Sequence, residues 1–305
     1  MTQSAQYLQP LTKRDLAILK MVASYLGVST EHIQRLHFQT TSPKSTPCYR
    51  RISMLEKAGY LKRHQPRLQI ALGRQADFIS IAPEAVKVLQ AAEDYPANSL
   101  SRLAHSLPPI QLEHHFGICD VRVSLELAIG HLPWLELIEW LPGPGTPCPI
   151  IKVTDTPSLL QDSSEAEHTL IPDGQFSLYT HLGLLTCYLE YDRGSIPKRL
   201  SRRLLGYLLH EQSLPVKRPI LFVVPDQKRA DTIAQWVKTQ ANKIKIDPGI
   251  FYLTTKEHLT ELTIFDAPIW QSVGKAEPVY LVPQPQTRVS VAAASSLGHD
   301  TMGIL

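Results

Sequence analysis

Cysteine is scarce in this 305-residue chain, and what there is does not pair by spacing. Cys48, Cys119, Cys148 and Cys187 stand far apart with no C-x-x-C pair, which argues against a zinc ribbon or a disulfide scaffold and for a reducing compartment. Long apolar runs are also missing. The stretch from Ile220 to Val224 has the length of a buried strand, well short of the ~18 residues a membrane span requires. Residues 1–10 carry no charge and no apolar core, so no secretory leader is read there, and a cytoplasmic protein without membrane association is expected. No repeat of solenoid period occurs. Gly143-Pro144-Gly145 lacks the Lys-Ser/Thr that completes a phosphate-binding loop, which disfavours an ATPase, and there is no G-x-S-x-G elbow. What remains is 43% apolar and 19% charged, enough to bury a sizeable core and unlike a disordered chain.

The net charge of +3 is a sum of unlike parts. From Leu11 to Gln75 there are 12 Lys/Arg against only Asp15, Glu31 and Glu56, a net of +9, so residues 76–305 total −6. A basic head on a mildly acidic body implies that a polyanion is met by the head, not by the body. Within the head, Thr12 and Asp15 have the spacing of a capping box, and Leu16, Leu19, Ala23 and Leu26 follow at helical period up to Gly27. Ser29 starts a second helix carrying Ile33 and Leu36. Thr46 caps a third, with Pro47 at its first position and Gly59 past its end. A short strand at Tyr60–Arg63, a basic tip and a return strand at Asp77–Ile81 complete a winged helix-turn-helix over residues 1–92.

That shape suits duplex DNA, because a helix fits the major groove and wing residues reach phosphates or the minor groove. The candidate contacts are Thr46, Tyr49, Arg50, Arg51, Ser53 and Lys57 on the third helix and Arg63, Arg67 and Arg74 on the wing. Which of Arg50 and Arg51 reads a base and which holds a phosphate is left open by the pattern. The competing reading is a winged helix used only for protein contacts, its charges merely solvated.

Residues 93–109 form a linker, and 110–282 a mixed α/β domain. Its pattern is a long helix from Ile110 to Leu132, strands at Leu135–Leu141, Thr169–Leu178 and Leu184–Tyr191, a basic helix from Pro197 to about Gln212, then a strand, a helix and a last short strand. Residues 283–305 are read as a flexible tail. The fold class is therefore α/β (α+β), a winged helix-turn-helix plus a mixed-sheet α-β-β-β-α-β domain. Adjacent His114 and His115 point about 100° apart on a helix and do not easily serve one metal, so packing and surface hydrogen bonds are the expectation for them.

Several segments together resemble the replication-relaxation family of plasmid and mobile-element proteins. They are His114-His115-Phe116-Gly117 with Asp120-Val121-Arg122, Ile171-Pro172-Asp173-Gly174, Leu189-Glu190-Tyr191-Asp192-Arg193-Gly194, and the basic helix ending at Tyr207. The resemblance implies a DNA-binding accessory or regulatory protein of replication, relaxation or transfer. The body is also similar to the PD-(D/E)xK nuclease core, a restriction-endonuclease-like fold. There Asp173 and Glu190 would hold Mg²⁺ that polarises a phosphate and activates water. Where that motif has Lys two residues after the Glu, this chain has Asp192, which supplies no ammonium; Lys198 or Arg199 on the next helix is the candidate substitute. The other readings are an inherited but inactive nuclease fold or structural carboxylates, with Glu190, Asp192 and Arg193 in an ion-pair network with the basic helix.

The expectation is a non-enzymatic, sequence-specific double-stranded DNA-binding protein, a homodimer, with replication or transfer proteins as further partners and no cofactor. The alternative is a metal-dependent endonuclease or nickase acting through Asp173, Glu190 and Asp192, with Mg²⁺ on Asp173 and Glu190.

Overall fold

Thr12 does cap the first helix. Its side chain accepts from the Asp15 amide while the Asp15 carboxylate accepts from the Thr12 amide, so two orphan donors at the helix start are satisfied reciprocally. The computed structural model describes residues 10–38, 46–64, 77–92, 109–143, 151–153, 168–194, 197–212 and 214–285. Helices α1 (Lys13–Ser24), α2 (Thr30–His37) and α3 (Thr46–Lys57) come first, then a hairpin of β1 (Leu61–His64) and β2 (Phe78–Ile81), and α4 (Pro83–Ala91). A second capping box, between Ser29 and His32, opens α2. Val28 bridges Ile79 through a pair of backbone hydrogen bonds, which ties the α1–α2 connection to the hairpin. Ile18, Leu19, Val22, Ile33, Ile52 and Ile79 form the fully buried centre of this unit.

The tight turn after α1 depends on Gly27. Its φ is +102°, and a Cβ there would lie 2.2 Å from the Phe78 ring and 3.2 Å from the Ile79 carbonyl oxygen. Gly27→Ala is expected to destabilise the protein by about 1–3 kcal/mol through combined strain and overpacking. The urea midpoint reads this out, and an unchanged midpoint would remove the constraint assigned to this turn.

The rest of the described chain is built on a six-stranded sheet. After α5 (Pro109–Ile129) come β3 (Glu136–Pro142), β4 (Ile151–Val153), β5 (His168–Leu170), β6 (Gly174–Thr180), β7 (Gly183–Tyr191), α6 (Pro197–Gln212), β8 (Ile220–Val224), α7 (Gln227–Ile244), a 3₁₀ turn at Pro248–Ile250, β9 (Phe251–Thr255) and β10 (Gln271–Ser272). The sheet order is β10-β9-β8-β7-β6-β3, with β3, β6 and β7 antiparallel, β7, β8 and β9 parallel, and β10 antiparallel to β9. The chain is α+β. Strands β4 and β5 pair with each other in a separate two-stranded sheet.

Side chains of the central strand β8 alternate between two cores, as the pleat requires. Ile220, Phe222 and Val224 face α6 and α7, whereas Leu221 and Val223 face α5 and the segment containing Ile264, Phe265 and Trp270. A strand buried on both faces reads as one continuous apolar run, and β8 is one.

Two sequence expectations are corrected here. The stretch read as one strand, Thr169–Leu178, is two, β5 and β6, separated at Ile171–Asp173; Pro172 has no amide to donate to a ladder, and the chain turns there. Strands β4 and β10, only three and two residues long, were not foreseen.

Helix α5 belongs to both units. Cys119 and Val123 pack in the core of the N-terminal unit, while Val121, Leu125 and Ala128 pack against the sheet. No helix among the described residues is long and apolar enough to cross a membrane.

Candidate functional site

The third helix buries Cys48, Ile52 and Leu55 and leaves Thr46, Tyr49, Arg50, Met54 and Lys57 exposed, with Ser53 half-buried. Tyr49 is 43% exposed and Met54 40%, high values for large apolar side chains. The two arginines that the pattern could not separate go opposite ways. Arg50 is exposed. Arg51 turns back onto Asp15, donating through Nε and Nη2 to a carboxylate with no exposure at all. Burial pushes the Asp15 carboxyl up, but hydrogen bonds from Arg51 and Thr12 outweigh it and hold the group below its ordinary value.

Arg63, read as a wing contact, is likewise engaged. It donates from Nε and Nη2 to Glu56 at 3.0 Å each and from Nη1 to Asp77 at 2.7 Å, and so staples α3 to the hairpin. Arg67 and Arg74 lie outside the described residues. On the described surface of this unit, Lys13, Arg14, Arg50, Lys57, Lys62 and Lys87 are the exposed cations, with Lys87 paired to Glu84 and the Arg14 guanidinium 5.0 Å from the centre of the Phe38 ring.

The three carboxylates of the body gather at the end of β7, and each is engaged by a cation. Glu190, 3% exposed, accepts a hydrogen bond from the Tyr207 hydroxyl and lies 2.9 Å from Arg203 Nε. Asp173 accepts the Tyr191 amide at 2.8 Å, lies 3.2 Å from His114 Nε2, and is 3.9 Å from Arg203. Asp192, 5% exposed, is held by Arg229 at 2.6 and 3.2 Å. Burial pushes the Glu190 carboxyl up to about 8, against the pull of Arg203. Burial likewise drives the Tyr207 hydroxyl well above its ordinary value.

Arg203 thus bridges Glu190 and Asp173 in the place where the nuclease resemblance would put a divalent ion, and this donor set does not fit Mg²⁺. Among the described residues no group of three or more His, Cys, Asp or Glu could hold a metal. The buried thiols are raised by burial as well, Cys48 to about 11, with Cys119 and Cys187 higher still, so none is poised as a nucleophile.

The sequence reading singles out neither Arg203 nor Arg229 as the partners of these carboxylates. A signal existed: Arg203 lies between Leu200 and Tyr207 at i+3 and i+4 spacing, on the stripe that faces the sheet.

A model of the replication-relaxation family matches residues 19–209, from within α1 into α6. The chain belongs to the replication-relaxation family. No curated protein and no solved structure matches it.

In this replication-relaxation protein the segment His114–Arg122 is the seam between the two units. His115 Nε2 lies 2.8 Å from the Gly27 carbonyl oxygen, Phe116 meets the His32 ring edge-on at 5.5 Å, and Arg122 donates to the Ser24 carbonyl at 2.9 Å with its guanidinium 3.9 Å from the centre of the Tyr25 ring. Asp120 accepts from Arg35 at 3.3 Å and lies 3.0 Å from His32 Nε2. Arg35 continues to Ser124 and Glu261. On the far side of the helix, Gly117 lets the Tyr191 ring lie against the backbone, where a Cβ would be 2.2 Å from it. Burial lowers the His115 imidazole to about 4, so the ring is neutral and hydrogen-bonded at neutral pH. Packing and hydrogen bonds therefore account for both histidines, with His114 on Asp173.

Proposed function

We propose that this family member is a sequence-specific duplex-DNA-binding protein of a plasmid or other mobile element, an accessory or regulator of replication, relaxation or transfer. Its N-terminal unit acts as a winged helix-turn-helix with α3 in the major groove. The observation that carries this reading is the division of labour on α3: Arg51 is anchored to Asp15, which leaves Arg50 projecting beside Tyr49, Ser53 and Lys57 from a face the body does not cover among the described residues. An exposed Arg with no competing carboxylate suits bidentate pairing with guanine.

The helix–strand–strand–strand–helix–strand order of the main sheet supports a nuclease-like ancestry for the body. Its carboxylates, tied to Arg203 and Arg229, support a role without metal or catalysis. We read the body as the unit that pairs two copies or meets replication or transfer proteins. Exposed Tyr179, Leu182 and Leu184 at the β6–β7 turn support that role.

Selection from a random-sequence duplex pool should enrich one motif with the wild-type protein and none with Arg50→Ala/Lys57→Ala, whose thermal midpoint stays unchanged. The double variant should bind the selected duplex at least about tenfold more weakly, given about 1–3 kcal/mol for one good base contact. Enrichment that survives the double variant would overturn the reading. Mg²⁺-dependent nicking of supercoiled plasmid, lost in Asp173→Ala/Glu190→Ala, would replace it with the endonuclease.

A further inference from the structure

The −6 of residues 76–305 conceals a second concentration of positive charge. From residue 197 to residue 247 there are 11 Lys/Arg and four acids, a net of +7. This stretch contains α6, β8 and α7; Lys217, Arg218, Lys243 and Lys245 lie at the amino end of the parallel strands, and the rest of its cations lie along the helices or toward the carboxyl end. Because β7, β8 and β9 are parallel, their carboxyl ends share one edge of the sheet, and α6 and α7 both begin there. Arg199 and Arg202 in the first turns of α6, Lys228 at the start of α7 and Lys256 directly after β9 are all exposed at this edge.

The acids nearby are largely taken up by other cations. Glu190 is held by Arg203, Asp192 by Arg229, Glu113 by Arg193, and both Asp120 and Glu261 by Arg35. Asp226 caps α7 and Asp231 accepts from Gln227; both are exposed, as is Glu257, so these three carboxylates offset part of the positive charge at this edge. None of the four cations has a carboxylate partner among the described residues. The amino-terminal ends of two helices add their partial positive charge to the same edge.

This edge also adjoins the N-terminal unit. Arg35 on α2 reaches Glu261 at 3.1 Å in the segment after β9, and a cleft of about 550 Å³ there is lined by Arg35 and Lys256 together with the acids Asp120, Glu257 and Glu261.

We propose that the carboxyl edge of the parallel strands, presenting Arg199, Arg202, Lys228 and Lys256, is a second contact for the phosphate backbone of the duplex whose bases α3 reads. The inference rests on the DNA-binding reading above. Four exposed cations without carboxylate partners release condensed counterions when they meet phosphates, so they add affinity and salt dependence without adding sequence preference. The edge engages only DNA long enough to extend past the site of α3.

The full chain is titrated by fluorescence anisotropy with duplexes of about 15 and about 40 base pairs carrying the selected motif, over a series of salt concentrations. Arg199→Ala/Arg202→Ala/Lys228→Ala/Lys256→Ala is expected to lose about three units of slope in log K against log salt and at least about tenfold in affinity on the long duplex. On the short duplex it should behave as wild type. Circular dichroism and the thermal midpoint should match wild type, since all four side chains are exposed. Unchanged slope and affinity on the long duplex, with wild type binding both, would overturn this proposal and leave the reading of α3 standing. Failure of wild type to bind either duplex would overturn both.

Discussion

Arg51→Ala is expected to destabilise the protein by about 3 kcal/mol, the low end of the cost of leaving a buried charge without its partner. Asp15 has no exposure, and two of its hydrogen-bond donors come from Arg51. Truncating Arg51 leaves the carboxylate with only Thr12 to satisfy it. The neighbouring Arg50→Ala touches no carboxylate and should leave stability within a few tenths of a kcal/mol, as exposed substitutions do. Urea unfolding of the two variants side by side decides the matter. Equal losses, or none for Arg51→Ala, would dissolve the division of labour on α3. Because Asp15 is held below its ordinary value, its contribution is present above the unfolded carboxylate pKa and is lost as pH falls through the depressed folded value.

Glu190→Gln should remove a loss of stability that the wild type suffers as pH rises. In the folded chain Glu190 keeps its proton up to about 8, whereas an unfolded glutamate releases it near 4.5. Between those values the native state binds one proton more than the unfolded state, so stability falls with rising pH by up to about 1.4 kcal/mol per unit and levels off above about 8. Glutamine fills the same space, accepts the Tyr207 hydroxyl and cannot ionise. His37 and His115, both lowered by burial to about 4, act in the opposite sense between that value and 6.5. The clean window is therefore pH 6.5 to 8. Over it, thermal unfolding of wild type should weaken relative to Glu190→Gln, with the two nearest in stability at the acid end. Parallel pH profiles would show that Arg203 keeps Glu190 ionised throughout.

Much of the fold was legible because it is encoded locally. The Thr12–Asp15 box, the apolar period of α6 and the continuous run of β8 are short-range patterns, and each maps onto the element it implied. The failures have a common cause. A wheel drawn for α3 places Arg51 at the margin of its outer face, but whether a marginal arginine points out or back depends on a carboxylate 36 positions earlier. The identities of Arg203 and Arg229 were hidden in the same way, since a helix read by itself does not show which of its arginines meets the strand-borne acids Glu190 and Asp192. Pro172 could have divided β5 from β6, because a residue without an amide hydrogen does not sit inside a ladder. The segment His114–Arg122 was recognisable from sequence as distinctive, but nothing local showed that its work is to join two units.

Helix α5 carries a consequence for how this architecture can change over generations. Two of its side chains, Cys119 and Val123, complete the hydrophobic interior of the N-terminal unit, and Arg122 anchors the end of α1. That unit is therefore not a cassette that recombination could lift out at residue 92 and graft onto an unrelated partner. It travels with α5 or loses part of its own interior. New target sequences are more accessible by exchanging single side chains on the outer face of α3 than by trading whole modules.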